Sequence, residues 1–117
     1  MLKYGRGRVD KVWAHSVSSP FPLKYIPFND KFKVFFSIRG EETGIVTVGV
    51  FIDDKLEKLM TTTINKVNES KPVWFEFPHD KEIGKHTIQF KIGTATGTNL
   101  DSVIWNYSSP IYEVEVR

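Results

Sequence analysis

Residues 30–39 read Asp-Lys-Phe-Lys-Val-Phe-Phe-Ser-Ile-Arg. Phe32, Val34, Phe36 and Ile38 share one parity, and Lys31, Lys33, Ser37 and Arg39 share the other. Side chains of an extended strand alternate between two faces, so this stretch predicts a strand with one buried and one wet face. The same grammar recurs three times. Val46, Val48, Val50 and Ile52 alternate with Thr47, Gly49, Phe51 and Asp53; His86, Ile88, Phe90 and Ile92 alternate with Thr87, Gln89 and Lys91. Tyr112, Val114 and Val116 close the chain against Glu113, Glu115 and Arg117. One wet face per strand is the habit of antiparallel sheets.

Weaker runs fill the gaps. Val9 to Val17 suits a first strand, Leu59 to Asn65 is rich in Thr and Ile, and Pro72 and Pro78 bracket Val73-Trp74-Phe75-Glu76-Phe77. Leu56, Leu59 and Met60 have helical spacing, but 54–60 is too short for a helix stable by itself. Gly40-Glu41-Glu42-Thr43-Gly44 reads as a hairpin or short crossover, Asp53-Asp54-Lys55 as a polar turn, and Gly84 as a residue able to take positive φ. The spacing of turns, roughly 8–12 residues, predicts an all-β chain: an antiparallel immunoglobulin-like β-sandwich of about seven strands. Residues 1–117 form one such domain. Within it, 1–28 supply an N-terminal strand and a proline-rich loop, Ser18-Ser19-Pro20-Phe21-Pro22, that is able to cover a sheet face.

Composition agrees with one folded domain. The 117 residues are 40% hydrophobic and 26% charged, with nine Phe, four Tyr and three Trp, enough to bury a core without disulfides. Cysteine is absent, which removes disulfides, thiolate catalysis and Cys-based zinc sites together. The net charge of +2 conceals an asymmetry. Residues 1–40 carry eight basic and two acidic side chains, net +6; residues 41–117 carry eight and twelve, net −4. Such halves attract each other within a sandwich or leave one basic face outside. No apolar stretch is long enough to span a bilayer, and no signal peptide is visible at the start.

With the strands placed, the landmarks have a familiar order. Phe28-Asn29-Asp30-Lys31 leads into the strong strand, and Val48-Gly49-Val50-Phe51-Ile52-Asp53-Asp54-Lys55 follows the glycine-containing loop. Then come Val73-Trp74-Phe75-Glu76-Phe77 and Gly84-Lys85-His86-Thr87-Ile88-Gln89-Phe90-Lys91-Ile92. Over 30–117 this succession resembles the CARDB type of immunoglobulin-like module and, more loosely, fibronectin type III domains. It departs from the CARDB pattern at Arg39-Gly40-Glu41-Glu42-Thr43-Gly44, where an Asn-x-Gly turn is usual. It departs again at residues 99–106, where an acidic, Asn-rich segment is usual. The resemblance implies a surface, adhesion or assembly module in an extracellular or cell-surface setting.

Catalytic machinery is not legible. There is no phosphate-binding loop, dinucleotide turn or nucleophile elbow. His79 and His86 flank Asp80 and Glu82, but their spacing matches no metal-ligand motif, and His86 has the parity of core positions. His15 stands alone. The pairs Glu41/Glu42, Asp53/Asp54 and Glu113/Glu115 fall in turns or on a wet face, unlike glycosidase carboxylates facing one cleft. A calcium site would have to draw on Asp53, Asp54 and a neighbouring loop. The expectation is therefore a chain that is not an enzyme, with no catalytic residue, metal or cofactor.

The aromatic residues are the anomaly. Phe35 and Phe51 fall on the outward parity of the two strongest strands, and Trp74 falls opposite Val73, Phe75 and Phe77. Either the N-terminal segment, with Trp13, Phe21 and Tyr25, covers these rings, or they form an exposed partner-binding patch rimmed by Lys33, Thr47 and Glu76. On the second view Phe35, Phe51 and Trp74 are the partner-binding residues. The leading function is a structural, adhesion or assembly module binding protein partners, or its own copies, through a sheet face or edge. The alternative is a carbohydrate-binding module that stacks sugars on Trp13, Trp74 and Trp105. Nucleic-acid binding is disfavoured by the near-neutral total charge.

Overall fold

A computed structural model of the chain describes residues 4–14, 26–28, 32–78, 80–95 and 102–117. Among these residues eight strands form two antiparallel sheets, and there is no helix. β1 (Arg6–Ala14), β2 (Phe32–Glu42) and β5 (Ser70–Phe77) make the smaller sheet, with β2 at its centre. The larger sheet has the order β4 (Lys55–Ile64), β3 (Gly44–Ile52), β6 (Gly84–Ala95) and β7 (Val103–Ser108), and β8 (Tyr112–Val116) also pairs with β6. Only Thr43 separates β2 from β3, so the chain crosses between sheets there instead of forming a hairpin. Gly44 makes that corner at φ 134°, a region that favours glycine.

Among the described residues the sandwich therefore has eight strands where the sequence pattern suggested about seven. The added one, β7, is followed by β8 along the same neighbour: β7 pairs with Lys91–Ala95 of β6 and β8 with Gly84–Ile88. Pro110 sits at the break and has no N–H to donate. Ser109 repairs the ladder: its N–H donates to the Phe90 carbonyl (2.8 Å), and its Oγ accepts the Phe90 N–H (2.9 Å). The Gln89 side chain donates to the Ser109 carbonyl at 2.9 Å. The helical spacing at 54–60 is overturned as well. A register shift between Val50 and Phe51 leaves Glu57 without a partner on β3, so the bulge breaks the period of two and mimics a helix in the sequence. The threonines at 61–63 continue that strand. The first strand begins at Arg6, three residues before the expected Val9. Residues 15–25, with the proline-rich loop and its expected role as a cover, lie outside the described residues.

The core is the inward parity of both sheets. Phe32, Val34, Phe36 and Ile38 of β2 face Val46, Val48, Val50 and Ile52 of β3 and Ile88, Phe90 and Ile92 of β6, all buried. Phe36 and Phe90 are fully buried with ring centroids 4.4 Å apart, and Phe75 meets Phe90 edge-on at 6.0 Å. Ile26 is drawn into this core by a short parallel bridge to β8, accepting the Arg117 N–H at 3.0 Å through its carbonyl. Because both rings fill the inter-sheet layer, Phe36→Ala or Phe90→Ala should cost about 3–5 kcal/mol in chemical denaturation. Lys58→Ala, on the exposed edge strand β4, should cost about 0.5 kcal/mol or less. Equal losses at the two kinds of site would contradict this strand phase. Ser109→Ala, which strips the buried Phe90 N–H of its acceptor, should cost about 1–3 kcal/mol in the same assay.

Candidate functional site

On the outer face of the smaller sheet, register brings three aromatic residues into one row across all three strands. Trp13 of β1 lies opposite Phe35 of β2, and Phe35 lies opposite Trp74 of β5. The Trp13 and Phe35 rings stack with centroids 5.8 Å apart and planes 11° from parallel. Exposure rises along the row. Trp13 is 9% exposed, Phe35 is half-buried, and Trp74, on an edge strand, is 51% exposed.

Cations frame that row. Lys33 is in register with Glu76, yet its ammonium lies 4.6 Å above the Trp74 ring, where the quadrupole attracts it. Lys11 stands 5.7 Å from the Trp13 ring. Arg39 and Arg8 face each other on β2 and β1, and Arg8 reaches Glu41 at 3.8 Å. The row is thus a half-exposed aromatic centre with a polar, mainly basic surround.

Phe51 is not part of it. It lies on the outer face of the larger sheet, meeting Trp105 edge-on at 5.4 Å with the Lys91 ammonium 4.5 Å from its ring. Trp105 in turn lies over Gly49: a Cβ there would stand 2.5 Å from the indole, so only glycine admits this packing. Thr47, expected at the rim of a patch, is 2% exposed and belongs to this other sheet. The sequence reading missed Trp105 as a cover, although a glycine inside a strong strand is the signal of such a close approach.

The histidine–carboxylate pair is structural in its geometry. Asp53 and Asp54, at φ 52° and 65°, form the two-residue turn of the β3–β4 hairpin. His86 Nδ1 donates to Asp53 Oδ2 at 2.6 Å, and its Nε2 donates to the Glu82 carbonyl at 2.7 Å. The other carboxylate oxygen of Asp53 accepts the Thr87 N–H at 3.0 Å. Both ring nitrogens are taken up by these two partners, so neither is directed at open solvent. His79 and His15 lie outside the described residues. Among the described residues no group of three or more His, Cys, Asp or Glu converges as a metal site would require.

Burial pulls the His86 imidazole down, but the hydrogen bonds to Asp53 and to the Glu82 carbonyl outweigh it and hold the ring above its ordinary 6.5. Burial likewise pushes Asp53 up, and the bonds from His86 and Thr87 overcome it and set the carboxyl below 3.8.

The class defined by these observations is an immunoglobulin-like β-sandwich, a fold shared with CARDB domains. The structure is similar to the CARDB domain of a Pyrococcus furiosus protein in complex with di-metal ions (TM-score 0.66, 13% identity), covering 99% of this chain and 96% of that one. A solution structure of the same domain gives a TM-score of 0.63 at 15% identity, covering 98% and 97%. A β-glucosidase from Listeria innocua matches with a TM-score of 0.57 at 18% identity; 97% of this chain corresponds to 16% of that enzyme. No protein-family model and no curated protein matches the sequence.

The Asp53–His86 pair makes stability depend on pH in a stated direction. A raised histidine contributes in full below its ordinary value and loses that contribution as pH climbs through the raised one; a lowered carboxyl contributes above its ordinary value and loses it as pH falls through the lowered one. The pair thus contributes most between 3.8 and 6.5. Between about pH 6 and pH 9 the wild type should lose up to about 1 kcal/mol more than His86→Gln, the half-exposed Asp53 being screened by water. Parallel stability profiles for the two proteins would contradict the pairing.

Proposed function

We propose that this chain is a single non-catalytic binding module, of the structural, adhesion or assembly kind, that contacts protein partners through the outer face of its three-stranded sheet. The observation that carries this reading is Trp74, 51% exposed in register with Phe35 while the core closes without it. Large aromatic residues set in a polar surround are the usual centre of a protein interface, because they bury much area at little cost in side-chain freedom. The likeness to CARDB domains supports a module rather than an enzyme, and the β-glucosidase match corresponds to a small part of that protein. Phe35 and Trp74 are the contact residues; Phe51, packed against Trp105 on the opposite face, stands outside the surface.

A second reading has one observation in its favour. Trp74 presents half of its indole to water beside the half-buried Phe35, and a sugar ring could stack on that exposed face.

One pair of experiments separates these. Trp74→Ser should leave stability within about 1 kcal/mol, since the ring is half in water. Photocross-linking from Trp74→benzoylphenylalanine in the source cell should capture a protein, either another copy or a distinct partner, whereas the same probe at the exposed Ile104 should not. Cross-links from Ile104 alone would refute the proposed face. Retardation on a neutral polysaccharide, abolished by Trp74→Ser, would instead establish the sugar reading.

A further inference from the structure

We infer that the partner of the three-stranded face is an acidic protein surface, laid along β2 from Lys33 to Arg39. This inference rests on the reading of that face as a protein-binding surface. Its ground is basic charge that, among the described residues, has no ion-pair partner there. Lys33, Phe35, Ser37 and Arg39 are the outward parity of β2, so two cations bracket the half-buried ring and the buried Ser37 across seven residues, about 20 Å of strand. β1 adds Arg8 and Lys11 to the same face.

The internal anions do not match them. Glu41 takes Arg8 at 3.8 Å with both side chains half exposed. Glu76 is in register with Lys33, but the Lys33 ammonium turns to the Trp74 ring instead. Among the described residues Lys11, Lys33 and Arg39 have no carboxylate partner. Arg8 and Arg39 are directly opposite on neighbouring strands, an arrangement of like charges that weakens a sheet unless an anion lies between or above them. A partner carrying carboxylates over Arg39, Lys11 and Lys33, with an apolar recess for Trp74, satisfies all of these groups at once.

The choice of a protein over other polyanions follows from the mixture. Glu76 lies two residues from Trp74 on the same face and calls for a donor there, which a protein surface can set beside its carboxylates. The total charge of only +2 also lacks the broad cationic excess of a nucleic-acid binder.

The test uses the whole chain and poly-L-glutamate as the probe, with heparin, poly(dT) and a neutral glucan in parallel arms. Poly-L-glutamate should bind, and the binding should weaken as salt is raised. Lys33→Glu/Arg39→Glu should weaken it at least about tenfold, and Lys33→Gln/Arg39→Gln should weaken it less, with melting temperatures of both variants recorded. Lys58→Glu, on the edge strand of the other sheet, should leave it unchanged. Absence of poly-L-glutamate binding, or equal weakening by Lys58→Glu, overturns the inference. So does binding of poly(dT) or heparin that outlasts poly-L-glutamate as salt rises and is lost in Trp74→Ser. Cross-linking from position 74 keeps the two claims apart: if it captures a protein while the poly-L-glutamate arm fails, the acidic partner is refuted and the binding face stands.

Discussion

The sandwich turns on one contact, the Phe36 ring of the smaller sheet against the Phe90 ring of the larger, 4.4 Å between centroids and wholly shielded from water. Two sheets of alternating strands have no reason to meet unless their apolar parities interlock, and these rings are among the largest side chains wholly buried in that layer. Their position fixes the phase of β2 and β6, since a slip of one residue would carry every core side chain to the solvent. Phe75 and Tyr112 then close around Phe90 edge-on, and Ser109 holds the backbone of Phe90 across the break at Pro110. Aromatic packing and hydrogen bonding thus converge on one residue.

That phase decides which aromatic residues are surplus to the fold. The outward parity of the larger sheet has its own internal use: Trp105 lies over Gly49, and Phe51 and Lys91 pack beside it. The outward parity of the smaller sheet is used only in part. Trp13 stacks on Phe35 and is buried, but the row ends at Trp74 with half of its surface in water. Among the described residues the two outer faces carry similar residues in different states: Phe51 and Trp105 pack together, and Trp74 stands half in water. The proposed function belongs to the face that carries Trp74.

Much of this was legible in the sequence because period two is a local property. The four strong strands, the antiparallel sandwich and the inward set from Phe32 to Ile38 follow from alternation alone. What escaped depends on contacts distant in the chain. The bulge at Glu57 disguised β4 as a helical turn, since an extra residue shifts the apolar spacing. β7 was obscured for a related reason: a register shift between Ile92 and Gly93 leaves Asn106 unpaired and interrupts its alternation. The site was half legible. Outward parity singled out Phe35, Phe51 and Trp74, but parity cannot say which sheet a strand joins, so it grouped Phe51 with rings on the opposite side of the sandwich. Nor could it foresee that His86, set on the core parity, would spend both ring nitrogens on the Asp53 turn and the Glu82 carbonyl.

The central claim is that the three tryptophans differ in state: Trp13 packed under the row, Trp105 laid on glycine, and Trp74 open. Covalent labelling of indole rings in the native protein, read residue by residue by mass spectrometry, tests it most directly. The expected result is modification of Trp74 well ahead of Trp105, with Trp13 slowest. Trp74 labelling as slowly as Trp13 would contradict the account, because the face assigned to the partner would then already be covered.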